Sequence, residues 1–156
     1  MSGFFLTKKE CAECRQCCTF DGCDLLLTPL ITSETRAKIE ELIPGARFIH
    51  HGGSYLLRLE PDSEGRYPCS LLDQSRGCIM GEEKPFECRI WPLRVMKDSG
   101  ELMITLSPDC PAAKQKPRED ILSTAEELAG EIFAEAKKHP ELIKPYDERY
   151  EVLVRE

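Results

Sequence analysis

From Arg118 to Lys138 the apolar positions are Ile121, Leu122, Ala125, Leu128, Ala129, Ile132, Phe133 and Ala136, recurring every three or four residues. That spacing gathers them into one stripe of an α-helix. Pro140 ends the segment, and Lys137, Lys138 and His139 in its last turn oppose the negative end of the helix dipole. A shorter helix is predicted from Thr32-Ser33-Glu34, an N-cap with a carboxylate in the first turn, to about Ile43, stopping before Pro44-Gly45. Its apolar positions are Ala37, Ile39, Leu42 and Ile43.

Strand patterns lie between these helices. Arg47–His50 and Ser54–Leu59 flank His51-Gly52-Gly53 and read as a hairpin. Leu93–Met96 and Leu102–Leu106 read as another, turning at Asp98-Ser99-Gly100. Pro61 to Gly65 reads as loop, and residues 68–92 carry three cysteines with little regular pattern, as a loop held by its ligands would. Glu141 to Glu156 reads as a helical turn followed by a strand at Tyr150–Val154. The fold class expected is α+β: one small domain of short hairpins and a few helices around a cysteine-ligated metal centre. Residues 1–112 form its cysteine-cluster part, and residues 113–156 a helical extension packed on the same domain.

Composition narrows the function. An apolar share of 41% in 156 residues is enough to bury a core. The formal charge of −7, with no basic cluster longer than Lys8-Lys9 or Lys137-Lys138, argues against a nucleic-acid partner. No apolar run reaches the roughly 20 residues of a membrane span, and the first residues lack the pattern of a secretory signal. The expected compartment is therefore the cytoplasm, where thiols stay reduced and clustered cysteines serve as ligands more than as disulfides. Nine cysteines is also an odd count.

Four of those nine fall within eight residues, as Cys11-x2-Cys14-x2-Cys17-Cys18. The spacing lets three thiols converge on one point. Neighbouring side chains diverge, so Cys17 and Cys18 are expected either to split between two sites or to divide into one ligand and one packed residue. The remaining candidate ligands are Cys69, Cys78, Cys88 and Cys110; Cys23, in an Asp-Gly-Cys-Asp turn, reads as structural. Zinc and iron–sulfur clusters both accept four thiolates. The C-x2-C-x2-C run with a remote Cys110-Pro111 is similar to a bacterial ferredoxin pattern, which favours an iron–sulfur cluster of the 4Fe-4S kind over zinc. Arg15 and Arg89, each beside a candidate ligand, are suited to offset the centre's negative charge. His50-His51 reads as an exposed turn and Trp91 as packing over the site. No carboxylate pair, phosphate loop or nucleophile–base arrangement marks a catalytic residue, and the partner, protein or small molecule, is left open.

Taken together, Cys11-x2-Cys14-x2-Cys17-Cys18, Pro68-Cys69-x-Leu71-Leu72, Cys78-Ile79 and Lys84-Pro85-x2-Cys88-Arg89-x2-Pro92 resemble the CxxCxxCC cysteine-cluster family. The resemblance covers roughly residues 5 to 112 and extends to Cys110-Pro111. Members are described as zinc- or iron-chelating proteins, some as Fe–S oxidoreductases, and flagellin lysine methylases carry a similar domain. The resemblance thus implies a cysteine-bound metal with a redox or methyl-transfer-related role. A zinc-structured binding or metal-handling module is the alternative. Two positions depart from the pattern: Lys84 stands where arginine is usual, and Leu71 where an aromatic often follows Pro-Cys.

Overall fold

The computed structural model describes residues 19–20, 28–73, 77–108 and 110–156. They form a single α+β domain with four helices, a four-stranded sheet and a three-stranded sheet, joined by two short ladders. In chain order the elements are β1 (Thr19–Phe20), β2 (Leu30–Ile31), α1 (Ser33–Leu42), β3 (Phe48–His51), β4 (Ser54–Leu57), β5 (Tyr67–Pro68), β6 (Leu72–Asp73) and β7 (Gly77–Cys78). A 3-10 turn (Gly81–Glu83), α2 (Phe86–Ile90), β8 (Leu93–Asp98), β9 (Glu101–Leu106), α3 (Pro111–Lys114) and α4 (Arg118–Lys138) follow. A second 3-10 turn (Pro140–Leu142), β10 (Lys144–Pro145) and β11 (Glu151–Arg155) complete the chain.

The larger sheet has the order β10-β8-β9-β11, with β10 parallel to β8 and the other neighbours antiparallel. Its central hairpin turns at Ser99 and Gly100, both with positive φ (50° and 86°), the geometry that suits the twist of two-residue hairpins. Alternation along β8 and β9 sends Leu93, Val95, Leu102 and Ile104 to the face covered by α4. Met96 and Met103 go to the other face, against Tyr150. In β11 the register shifts between Val152 and Val154. This bulge lets the consecutive residues Leu153 and Val154 both pack on the α4 side, while Val152 packs with the methionines.

Helix α4 has the expected bounds, and Ile121, Ala125, Leu128, Ile132, Phe133 and Ala136 are buried along its stripe. The stripe is covered within this chain, by the sheet and by Leu142. Helix α1 starts at the expected cap: Thr32 Oγ1 accepts the Thr35 N–H at 3.3 Å. Its Ile39 packs into a second core with Ile31, Leu57, Leu59, Leu71 and Met80. On the outside of the same helix the Arg36 guanidinium lies over Tyr55 (4.5 Å) and Phe48 (4.9 Å) and pairs with Glu40 (2.9 Å). The two residues of β2 point opposite ways, Leu30 into the first core and Ile31 into the second. This short strand is therefore the wall between the cores.

The β3–β4 hairpin turns on Gly52-Gly53, with Gly52 at φ +62°. It is tied to the C-terminal part by the Gly53 N–H, which donates to Glu141 Oε1 at 2.9 Å. Residues 68–92 hold more regular structure than their pattern suggests, namely β6, β7, the 3-10 turn and α2. Elements of two to five residues are too short to express a hydrophobic period, so only tertiary contacts reveal them.

Candidate metal centre

Of the eight candidate ligands, Cys11, Cys14, Cys17 and Cys18 lie outside the described residues, as do Cys23 and Arg15. The other four are placed on three different supports. Cys69 follows β5 and is half-buried against the second core. Cys78 sits on β7, paired across the ladder with Leu72, and packs on that same core. This ladder is extended by the Ile79 N–H, which donates to the Leu71 carbonyl at 2.8 Å. Cys88 is the middle residue of α2 and half-buried, its N–H donating to the Pro85 carbonyl at 2.9 Å. Cys110 is 4% exposed at the start of α3 and packs with Ala113, Ala112, Leu106 and Trp91. Among the described residues no three Cys, His, Asp or Glu side chains are placed to hold one metal ion together.

One ladder ties that cluster's segment to the rest. β1 pairs antiparallel with β5, Thr19 opposite Pro68 and Phe20 opposite Tyr67. Thr19 is the residue after Cys18, and Pro68 is the residue before Cys69.

The α2 segment that carries Cys88 is anchored by a buried polar cluster. Glu87 Oε2 accepts the Leu30 N–H at 2.7 Å, and Oε1 accepts from Arg94 Nη1 at 3.0 Å, with Lys144 Nζ at 3.6 Å. All three side chains are at most 6% exposed. One carboxylate thus clamps α2 to β2, β8 and β10 at once, and Cys88 is its immediate neighbour. The sequence did carry a signal for this cluster, an arginine inside the apolar run Leu93-Arg94-Val95-Met96, but no pattern that names its partner. Across from it, the Arg94 guanidinium lies 5.0 Å over the Trp91 ring, so Trp91 bridges this cluster and the Cys110 packing group.

Arg89 turns elsewhere. Its guanidinium lies 5.3 Å over the Phe86 ring and lines a cavity with the start of α1 and the end of α4. His50 is exposed and packs with its ring tilted 49° against that of Tyr55 (centroids 4.9 Å apart), and Glu83 pairs with Lys38 at 3.4 Å. Glu141, beyond the cysteine segments, has its carboxyl pKa lowered, chiefly by the N–H of Gly53. Among the described residues no helix is long and apolar enough to cross a membrane. No protein-family model, curated protein or solved structure matches the chain.

Proposed function

We propose that this chain holds a cysteine-ligated metal centre, an iron–sulfur cluster serving a redox or methyl-transfer-related role. The ligands are drawn from Cys11, Cys14, Cys17 and Cys18 and from Cys69, Cys78, Cys88 and Cys110. The observation that carries the reading is the β1–β5 ladder. It pairs Thr19, the residue after Cys18, with Pro68, the residue before Cys69, so the segment that follows the N-terminal cluster is joined to the strand that leads into Cys69. The tight C-x2-C-x2-C spacing and the resemblance to the CxxCxxCC family support the same reading.

The described residues supply the scaffold such a centre needs. Cys69 and Cys78 stand on the second core, Cys88 stands on the helix clamped by Glu87, and Cys110 is packed under Trp91. Thiolates held on packed supports lose little conformational freedom on ligation, which favours binding. Bound there, an iron–sulfur cluster would supply one-electron chemistry.

The test is anaerobic purification with metal and acid-labile sulfide analysis and a visible spectrum of the same sample. Brown protein with broad visible absorption, iron and sulfide is the expected result, and Cys69→Ser and Cys88→Ser should each lower iron content. Colourless protein holding stoichiometric zinc would replace the cluster by the zinc-structured module. Protein that binds neither metal would overturn the reading.

A further inference from the structure

A cavity of about 270 Å³ opens where the start of α1, the stretch Glu83–Arg89 and the end of α4 meet. Its walls bring together four side-chain cations, Lys38, Lys84, Arg89 and Lys138. Lys38 is taken by carboxylates, Glu83 at 3.4 Å and Glu34 at 4.0 Å, and the third carboxylate of the wall, Glu135, lies 3.6 Å from His139. Lys84, Arg89 and Lys138 have no carboxylate partner among the described residues.

Two further features of the cavity bear on what it would bind. The positive end of α1 faces it through Thr32, Glu34 and Thr35, and the Thr32 cap uses only the Thr35 N–H, so the N–H groups earlier in the turn have no helical acceptor. Beneath the polar rim, Leu30, Phe86 and Leu142 form an apolar floor. The chain carries a formal charge of −7, so a small local excess of cations in a concave site suits a small anion and not a polyanionic surface.

We propose that this cavity binds a phosphate-bearing small molecule, its oxyanion held by Arg89, Lys84 and Lys138 at the start of α1 and its body resting on the apolar floor. A phosphate dianion matches several converging cations and a fork-shaped guanidinium donor. None of these three residues is a candidate metal ligand, so the proposal does not rest on what the cysteines bind.

The test is titration of the full-length protein with inorganic phosphate at matched ionic strength, followed by amide NMR and calorimetry, with phenyl phosphate as a second probe and sodium chloride as the control. Saturable shifts at Thr32, Thr35, Arg89 and His139 are expected, and Arg89→Gln should weaken binding about tenfold, the effect of one charge-assisted contact. Because Arg89 adjoins Cys88, Lys138→Gln is the independent variant, expected to weaken phosphate binding about threefold at unchanged metal content. Tighter binding of phenyl phosphate than of inorganic phosphate would assign the floor to a phosphorylated metabolite. Equal binding of the two would assign the site to free phosphate and remove the apolar floor from the proposal. Shifts that do not saturate, or affinities untouched by both variants, would overturn it.

Discussion

Replacing Glu87 by glutamine should destabilise this protein strongly. The carboxylate is 4% exposed and serves three donors, the Leu30 N–H, Arg94 and Lys144. The amide keeps the volume and one acceptor oxygen, yet it places an NH2 where one of those donors points and removes the negative charge between two buried cations. Removing one member of a buried ion pair costs about 3–5 kcal/mol. The retained oxygen argues for the lower end, about 3 kcal/mol. For a chain of this size that corresponds to a fall in Tm of about 6–12 °C. Thermal unfolding followed by circular dichroism is the assay, with Glu101→Gln as the reference. The Glu101–Arg155 pair spans 3.1 Å but is about half exposed on both sides, so its loss should cost under about 1 kcal/mol. Equal shifts for the two variants would refute the reasoning, since burial and the three donors it serves are what set Glu87 apart from Glu101. Loss of metal from Glu87→Gln at unchanged Cys88 would further tie the clamp to the candidate centre.

Other outcomes follow from the same structure. Gly52→Ala puts a Cβ 2.7 Å from the Glu141 Cγ at a residue with φ +62° and should cost about 1–2 kcal/mol; in a Glu141→Ala background only the backbone part should remain in denaturant melts. The lowered pKa of Glu141 makes its contribution full above the ordinary carboxylate value of about 4.3 and lost as pH falls through the folded value. Acid titrations of wild type and Glu141→Gln should therefore differ by a constant amount near neutrality and converge as pH falls through the folded value. Ile132→Ala, at a site 1% exposed in the first core, should cost about 2–5 kcal/mol, whereas Leu42→Ala at 51% exposed should cost under about 0.5 kcal/mol. If a metal joins the N-terminal cluster to residues 69–110, chelation should lower Tm, because binding energy there is folding energy; a melt unchanged by metal removal would refute that coupling.

The sequence by itself determined the elements whose reasons are local. Helix α4 shows its stripe because twenty-one residues repeat the helical period several times over, and α1 begins where the Thr32 hydroxyl can reach the Thr35 N–H. The two hairpins turn where Gly52 and Ser99-Gly100 take positive φ, a demand that few residue types meet. Cysteine spacing likewise marks the candidate ligands, since how closely cysteines recur along the chain is a local property too. The tertiary structure decided everything that depends on meeting a distant partner. Leu30 and Ile31 read as two equivalent apolar residues, yet one enters each core. Glu87 reads as a surface carboxylate until residues 30, 94 and 144 surround it. Lys144 joins β8 by a parallel pairing with Met96, and Thr19 meets Pro68 forty-nine positions on, matches that no local pattern encodes. Period, cap and turn are set by energies within a few residues, whereas which strand or charge a segment meets is set by the burial of the whole chain.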